Sequence, residues 1–167
     1  MTREFDGYKL DKQREFFNNT QKKIINAWVY GFTTSTQVAD HLGLANGTIK
    51  HADFEITDKL KDNEPGTDRR AKAVTFAALK GWIDPTPFPD NIERKLTDRK
   101  TLVLTFRTLG FTRKEVANHL KYSEDEVNNN LDAIISLTGV KNDYGAIAWA
   151  ILKVLKKPQP QAAKQNP

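Results

Sequence analysis

Residues 110–120 read Gly110-Phe111-Thr112-Arg113-Lys114-Glu115-Val116-Ala117-Asn118-His119-Leu120. Thr112 and Glu115 have the spacing of a capping box. The threonine hydroxyl accepts from the amide three residues on, and the glutamate reaches back to the amide of the cap residue. The pattern predicts a helix opening after Thr112, with Val116, Ala117 and Leu120 on one face. Ser123-Glu124-Asp125-Glu126 repeats the signal just downstream and opens a second helix, with Val127, Leu131 and Ile134 turned inward. Two such helices joined by a turn of about three residues, with the small Ala117 on the first, suit a helix-turn-helix.

The chain carries this pattern twice. Residues 31–42 read GFTTSTQVADHL. At an offset of 78, Thr34, Val38, Ala39, His41 and Leu42 match Thr112, Val116, Ala117, His119 and Leu120, and Ile49 and Ile56 match Val127 and Ile134. Gly31-Phe32 matches Gly110-Phe111 at an offset of 79, while Val74, Phe76, Ala77 and Leu79 match Ile147, Trp149, Ala150 and Leu152 at 73. About five extra residues around Asn63-Glu64-Pro65-Gly66 account for the change of offset. Gaps confined to loops, with apolar positions kept in phase, indicate two copies of one small helical domain. Thr34-Ser35-Thr36-Gln37 supplies the first cap of the earlier copy. Its second box is missing, because Ala45 stands where Ser123 does, and Asn46 is expected to cap one residue later.

Outside these phrases the apolar spacing is also helical. Leu102, Val103, Phe106 and Leu109 form one stripe, and Ile147, Trp149, Ile151, Leu152 and Leu155 form another. No segment sustains the alternation of a strand, so the expected class is all-α: two tandem four-helix helix-turn-helix domains. Asp84-Pro85-Thr86-Pro87-Phe88-Pro89-Asp90 has three prolines in seven residues and reads as a stiff linker or an ordered loop. The expected organisation is a first domain over 10–83 with an N-terminal helical extension, a linker over 84–94, a second domain over 95–156 and a disordered tail over 157–167.

The chain has 167 residues, 38% hydrophobic and 28% charged, an ordinary soluble composition. No apolar run approaches the ~18 residues that span a bilayer, and the polar N-terminus lacks a signal-peptide core. Zero cysteines exclude a disulfide framework, a thiolate metal site and a cysteine nucleophile. A cytoplasmic location follows as the simplest expectation. The formal charge of +5 allows a polyanionic partner without requiring one. Residues 1–84 carry 13 Lys/Arg against 12 Asp/Glu, and residues 85–167 carry 13 against 9, with Lys156, Lys157 and Lys164 near the C-terminus. Any nucleic-acid surface must therefore come from local arrangement.

The stretch from Lys95-Leu96-Thr97 through Leu109-Gly110-Phe111, Thr112 to Leu120, then Ser123, Val127, Leu131, Ile134, Gly139-Val140 and Ala146, resembles the four-helix LuxR/GerE-type DNA-binding domain of bacterial response regulators. The earlier copy is similar through Val38-Ala39, Leu42, Leu44, Thr48-Ile49-Lys50, Ile56, Lys59-Leu60, Arg70, Ala73-Val74 and Gly81-Trp82-Ile83. The matches cover roughly residues 20–83 and 95–155. The chain departs from the family in having two copies and no receiver or ligand-sensing domain, and its reading helices are only partly of the usual type.

The resemblance implies that the second helix of each pair lies in the major groove while the first crosses the backbone. Candidate DNA-binding residues in the first copy are Asn46, Thr48, Lys50 and His51. Thr48 and Lys50 match the family's Thr-Val-Lys pattern, and Lys50 is the strongest single candidate. In the second copy Asn128 stands where that lysine would be, followed by Asn129 and Asn130, and asparagine can pair bidentately with an adenine edge. Its reading helix opens on Glu124-Asp125-Glu126, which suits the helix dipole but repels phosphate. Thr112, Arg113, Lys114, Lys121 and Tyr122 are candidates for phosphate contacts from the flanking helix and turn. Either both copies bind DNA, or the first binds alone and the second serves dimerisation or another partner.

Competing readings are plainer. His41 and His119 sit at equivalent places, but with no cysteine and no His pair at i,i+4 they read as polar residues near a helix end. Trp28, Trp82 and Trp149 fall at core spacings, so stacking on bases is the lesser reading. Leu10, Phe17 and Ile24 recur every seven residues, yet Gln13, Thr20 and Ala27 break a dimer seam, so this segment is expected to pack on its own body. No glycine-rich phosphate loop, GxSxG or HExxH is present, so no enzyme is expected, nor any cofactor or metal. The expected function is sequence-specific binding of double-stranded DNA by a bacterial, phage or plasmid transcription regulator. The alternatives are an accessory protein of replication, partition or conjugation, or a helix-turn-helix that binds protein. Expected partners are double-stranded DNA, a second copy in a homodimer, and RNA polymerase or another regulator, with no membrane and a nucleoid association.

Overall fold

A computed structural model describes residues 16–61, 67–89 and 96–155. Leu10 and Gln13 of the heptad, the insertion at 63–66, the end of the proposed linker from Asp90 to Arg94, Lys95, and the tail with Lys156, Lys157 and Lys164 lie outside these residues. The described chain is all-helical: α1 Asn19–Val29, α2 Ser35–Leu42, α3 Asn46–Lys59, α4 Arg69–Lys80, α5 Asp98–Thr108, α6 Arg113–Leu120, α7 Glu124–Thr138 and α8 Asp143–Trp149, followed by a π-helical stretch Ala150–Leu155. Among the described residues the only β pairing is an isolated bridge between Thr67 and Phe111.

Local chemistry sets most of the helix starts. Thr34, Thr112 and Ser123 each form the reciprocal capping box that their spacing implies, worth about 1 kcal/mol apiece. Asn18 and Gln21 form a fourth, opening α1. Asp68 caps α4 by accepting from Ala71 N at 3.0 Å, and Asn142 caps α8 by accepting from Gly145 N at 2.8 Å. α3 is the exception. Ala45 occupies its cap position with no side-chain bond, and Asn46, expected to cap, is instead the first helical residue and donates to Thr36 Oγ1 at 3.1 Å. The turn between α2 and α3 closes on Gly43 in the left-handed region, φ 65°. The corresponding turn between α6 and α7 closes on Lys121 at φ 56°, a conformation that L-residues with a Cβ adopt only at a cost.

The repeated phrase is structural. Phe32 stacks on His41 with ring centroids 4.0 Å apart, and Phe111 meets His119 edge-on at 4.9 Å. Val38, Ala39, Val116 and Ala117 are buried beneath them. α1, α2 and α3 pack together with α4 across them, and α5 to α8 repeat the arrangement.

The two halves share one core. α4 packs on α8, α1 on α8 and α5 on α4, an approximately two-fold relation. At the start of α4, Asp68 N donates to Gly110 O at 2.8 Å, at the end of α5. At the start of α8, Asn142 Nδ2 donates to Trp28 O at 2.8 Å, near the end of α1. The approach is close: a Cβ added to Gly145 would stand 3.0 Å from Val29 O. Small residues permit it, since Ala71, Ala73, Ala77 and Ala78 of α4 and Ala146 and Ala148 of α8 are all buried.

Residues 84–89 of the proline-rich segment are an ordered loop on this body. Phe88 is buried and stacks on Tyr30 at 6.5 Å, and Trp149 Nε1 donates to Pro89 O at 3.2 Å. Phe17 and Ile24 are fully buried, with Phe17 edge-on to Phe76 at 5.7 Å. The α5 stripe differs from its sequence reading. Leu102 and Leu109 are exposed, while Val103, Leu104 and Arg107 face the core. Leu79 of α4 is exposed as well.

Candidate nucleic-acid interface

In the first half, α2, the Gly43 turn and α3 present a solvent-facing helix. Ile49, Ala52 and Ile56 bury one side of α3, which leaves Asn46, Thr48, Lys50 and His51 exposed. The sequence candidates of this half therefore lie together on one accessible surface. Among the described residues Lys50 makes no hydrogen bond or ion pair. His51 Nε2 lies 3.3 Å from Glu55 Oε1. Two of the three carboxylates of α3 are engaged sideways. Arg70 holds Asp53 through a paired guanidinium contact and also donates to Thr33 O at 3.0 Å, and Glu55 accepts from Gln21 Nε2 at 2.9 Å. Arg70 in turn lies over the Trp28 ring at 4.9 Å, so α4, α3 and α1 are fixed to one another by a single side chain.

The second half places its candidates differently. Arg113 Nη1 donates to Asn128 Oδ1 at 2.9 Å, and its other arm reaches Asp143 Oδ2 at 3.3 Å. Arg113 and Asn128 thus occupy each other. Asn130 Nδ2 turns back to Glu126 O at 2.7 Å. Tyr122 is half-buried, with the Arg99 guanidinium 5.4 Å from its ring. Thr112 is committed to its capping box. Lys114, Lys121 and Asn129 remain exposed. Asn129 shares the outward side of α7 with Asp125, four residues before it, and Asp132, three after it, both exposed. The Ser123 amide and hydroxyl hold the Glu126 carboxyl below its ordinary range, which keeps it ionised.

Charge separates the helix pairs from their support. Residues 35–61 carry three Lys/Arg against four Asp/Glu, and residues 112–139 carry three against five. The other described residues carry eleven against four. The positive surplus lies on α1, α4, α5 and the last segment, outside the helix pairs themselves.

A buried guanidinium between the halves has no counterpart in the local sequence patterns. Arg107 of α5 is 2% exposed. It donates to Asp68 at 2.8 Å, to Asp143 at 2.9 Å and to Phe111 O, with Nε unpaired. Burial alone favours loss of its proton, but Asp68 and Asp143 outweigh burial and raise its pKa. Burial, reinforced by the same two carboxylates, pushes the neighbouring Tyr144 phenol up to about 12. Both acids are cap or first-turn residues, so a caps-only reading assigns them to local roles.

Among the described residues no three His, Asp or Glu side chains gather as a metal site requires, and no helix is long and apolar enough to cross a membrane. Comparison with protein-family models, with curated proteins and with solved structures gives no match to the chain.

Proposed function

We propose that the chain is a sequence-specific double-stranded-DNA-binding protein, a transcription regulator of a bacterium, phage or plasmid, built of two tandem helix-turn-helix units with α3 of the first as the reading helix. The observation that carries this is the outward side of α3. Lys50 and His51 share it, with Asn46 and Thr48 exposed at its two edges; Lys50 has no partner among the described residues, and Asp53 and Glu55 are drawn aside by Arg70 and Gln21. A lysine there suits a guanine edge or a phosphate. The exposed Lys23 of α1 and Lys80 of α4 suit flanking backbone contacts.

The second unit is read differently. Asp125 and Asp132 flank Asn129 on the outward side of α7, and Arg113 and Asn128 are bonded to each other. These features favour a supporting or protein-contacting role for this unit over phosphate binding. The alternative of an accessory replication, partition or conjugation protein uses the same surface and differs in the DNA it coats.

The test is selection of duplexes from a randomised pool by the full chain, followed by a salt titration of the recovered duplex. A slope of log K against log salt of about −2 to −4 is expected, corresponding to a few phosphate contacts. A flat slope, or no binding at low salt, overturns the proposal.

A further inference from the structure

One large apolar side chain of α3 points away from the core. Phe54 is 67% exposed, while Ile49, Ala52 and Ile56 of the same helix are buried. At about 100° per residue Phe54 falls nearly opposite those three, one turn beyond Lys50 and His51 on the same outward face. The face is slender towards its amino end, since nothing lies within 4 Å of a Cβ position at Gly47. Asp58, a further turn along, lies 4.0 Å from Lys61. The residue of α7 that corresponds to Phe54 at an offset of 78 is Asp132, so the aromatic belongs to the first unit alone.

We propose that Phe54 contacts the C5-methyl group of a thymine in the major groove, beside polar contacts from Lys50 and His51. The proposal rests on the DNA-binding reading above and adds the base it selects. In the major groove thymine is marked by its methyl group, and phenylalanine is among the side chains that meet it. A protein-binding aromatic is ordinarily ringed by further apolar surface that excludes water. The neighbours of Phe54 along its face are Gly47, Lys50, His51 and Asp58, which suit a polar groove with one methyl contact.

The experiment uses the full chain and the tightest duplex recovered from a randomised pool. Each thymine in turn is replaced by deoxyuridine, which removes only the methyl group. Wild type is expected to lose about fourfold in affinity at one or two positions, the worth of one buried carbon group. Phe54→Ala is expected to bind the thymine duplex more weakly and to be indifferent to deoxyuridine there. A thermal melt coincident with wild type establishes that the variant is folded. If Phe54→Ala keeps the wild-type sensitivity to deoxyuridine, or binds as tightly as wild type, the Phe54 assignment is overturned while DNA binding stands. If wild type binds no duplex at low salt, both fall.

Discussion

Arg107, in the last turn of α5, donates at 2.8 Å to Asp68, the cap of α4. One buried guanidinium thus ties the helix start of the first half to the second. Asp143 accepts from the same nitrogen; once Arg107 is removed, Asp143 keeps only the half-exposed Arg113 among its ion pairs between described residues, and Asp68 only the longer-range field of Arg70. Arg107→Leu leaves two carboxylates poorly compensated and is expected to cost about 3–5 kcal/mol. Urea unfolding of wild type and variant checks this; a loss under 1 kcal/mol means that solvent reaches the acids readily.

The shared core makes a second expectation. Because α4, α8, α1 and α5 pack across the halves, thermal unfolding is expected as one cooperative transition. Arg107→Leu should then lower it as a whole. Two separated transitions in calorimetry, with only one shifted by the variant, would show halves that fold independently.

Tyr144 supplies a pH dependence. Its phenol is pushed up to about 12 by burial and by Asp68 and Asp143, against about 10 in an unfolded chain. Its contribution is full below pH 10 and is lost as pH rises from about 10 to 12, because the unfolded chain sheds a proton that the fold retains. The wild type should lose on the order of 2 kcal/mol more than Tyr144→Phe across that window. Parallel curves for the two proteins would place Tyr144 in contact with water.

The turn between α6 and α7 offers a stabilising change. Lys121 holds φ 56° where the first half has Gly43 at φ 65°. Lys121→Gly is expected to raise stability by about 1 kcal/mol. A lower denaturation midpoint would mean that the lysine side chain makes a contact worth more than its backbone strain.

What the sequence revealed and what it concealed divide along interaction range. The capping boxes at Thr34, Thr112 and Ser123 join residues three apart, so spacing alone exposes them. Arg107 and Asp68 are 39 residues apart, and no local pattern links them. The α5 stripe misled for a related reason. Leu102 and Leu109 fit helical spacing, but the helices packed on α5 bury Val103, Leu104 and Arg107 instead. Phe54 leaves no mark in the apolar periodicity of α3 because it is out of phase with Ile49, Ala52 and Ile56. The mutual bond of Arg113 and Asn128 spans 15 residues across two helices, so local sequence presents both as open to DNA.

The most direct test is to replace Lys50 and Asn129 separately by alanine and measure the affinity of each variant for the selected duplex. Lys50→Ala is expected to weaken binding at least tenfold, within the ~1–3 kcal/mol of a base-reading contact, while Asn129→Ala should stay within about twofold. A strong loss from Asn129→Ala with none from Lys50→Ala would contradict the assignment of reading to the first unit.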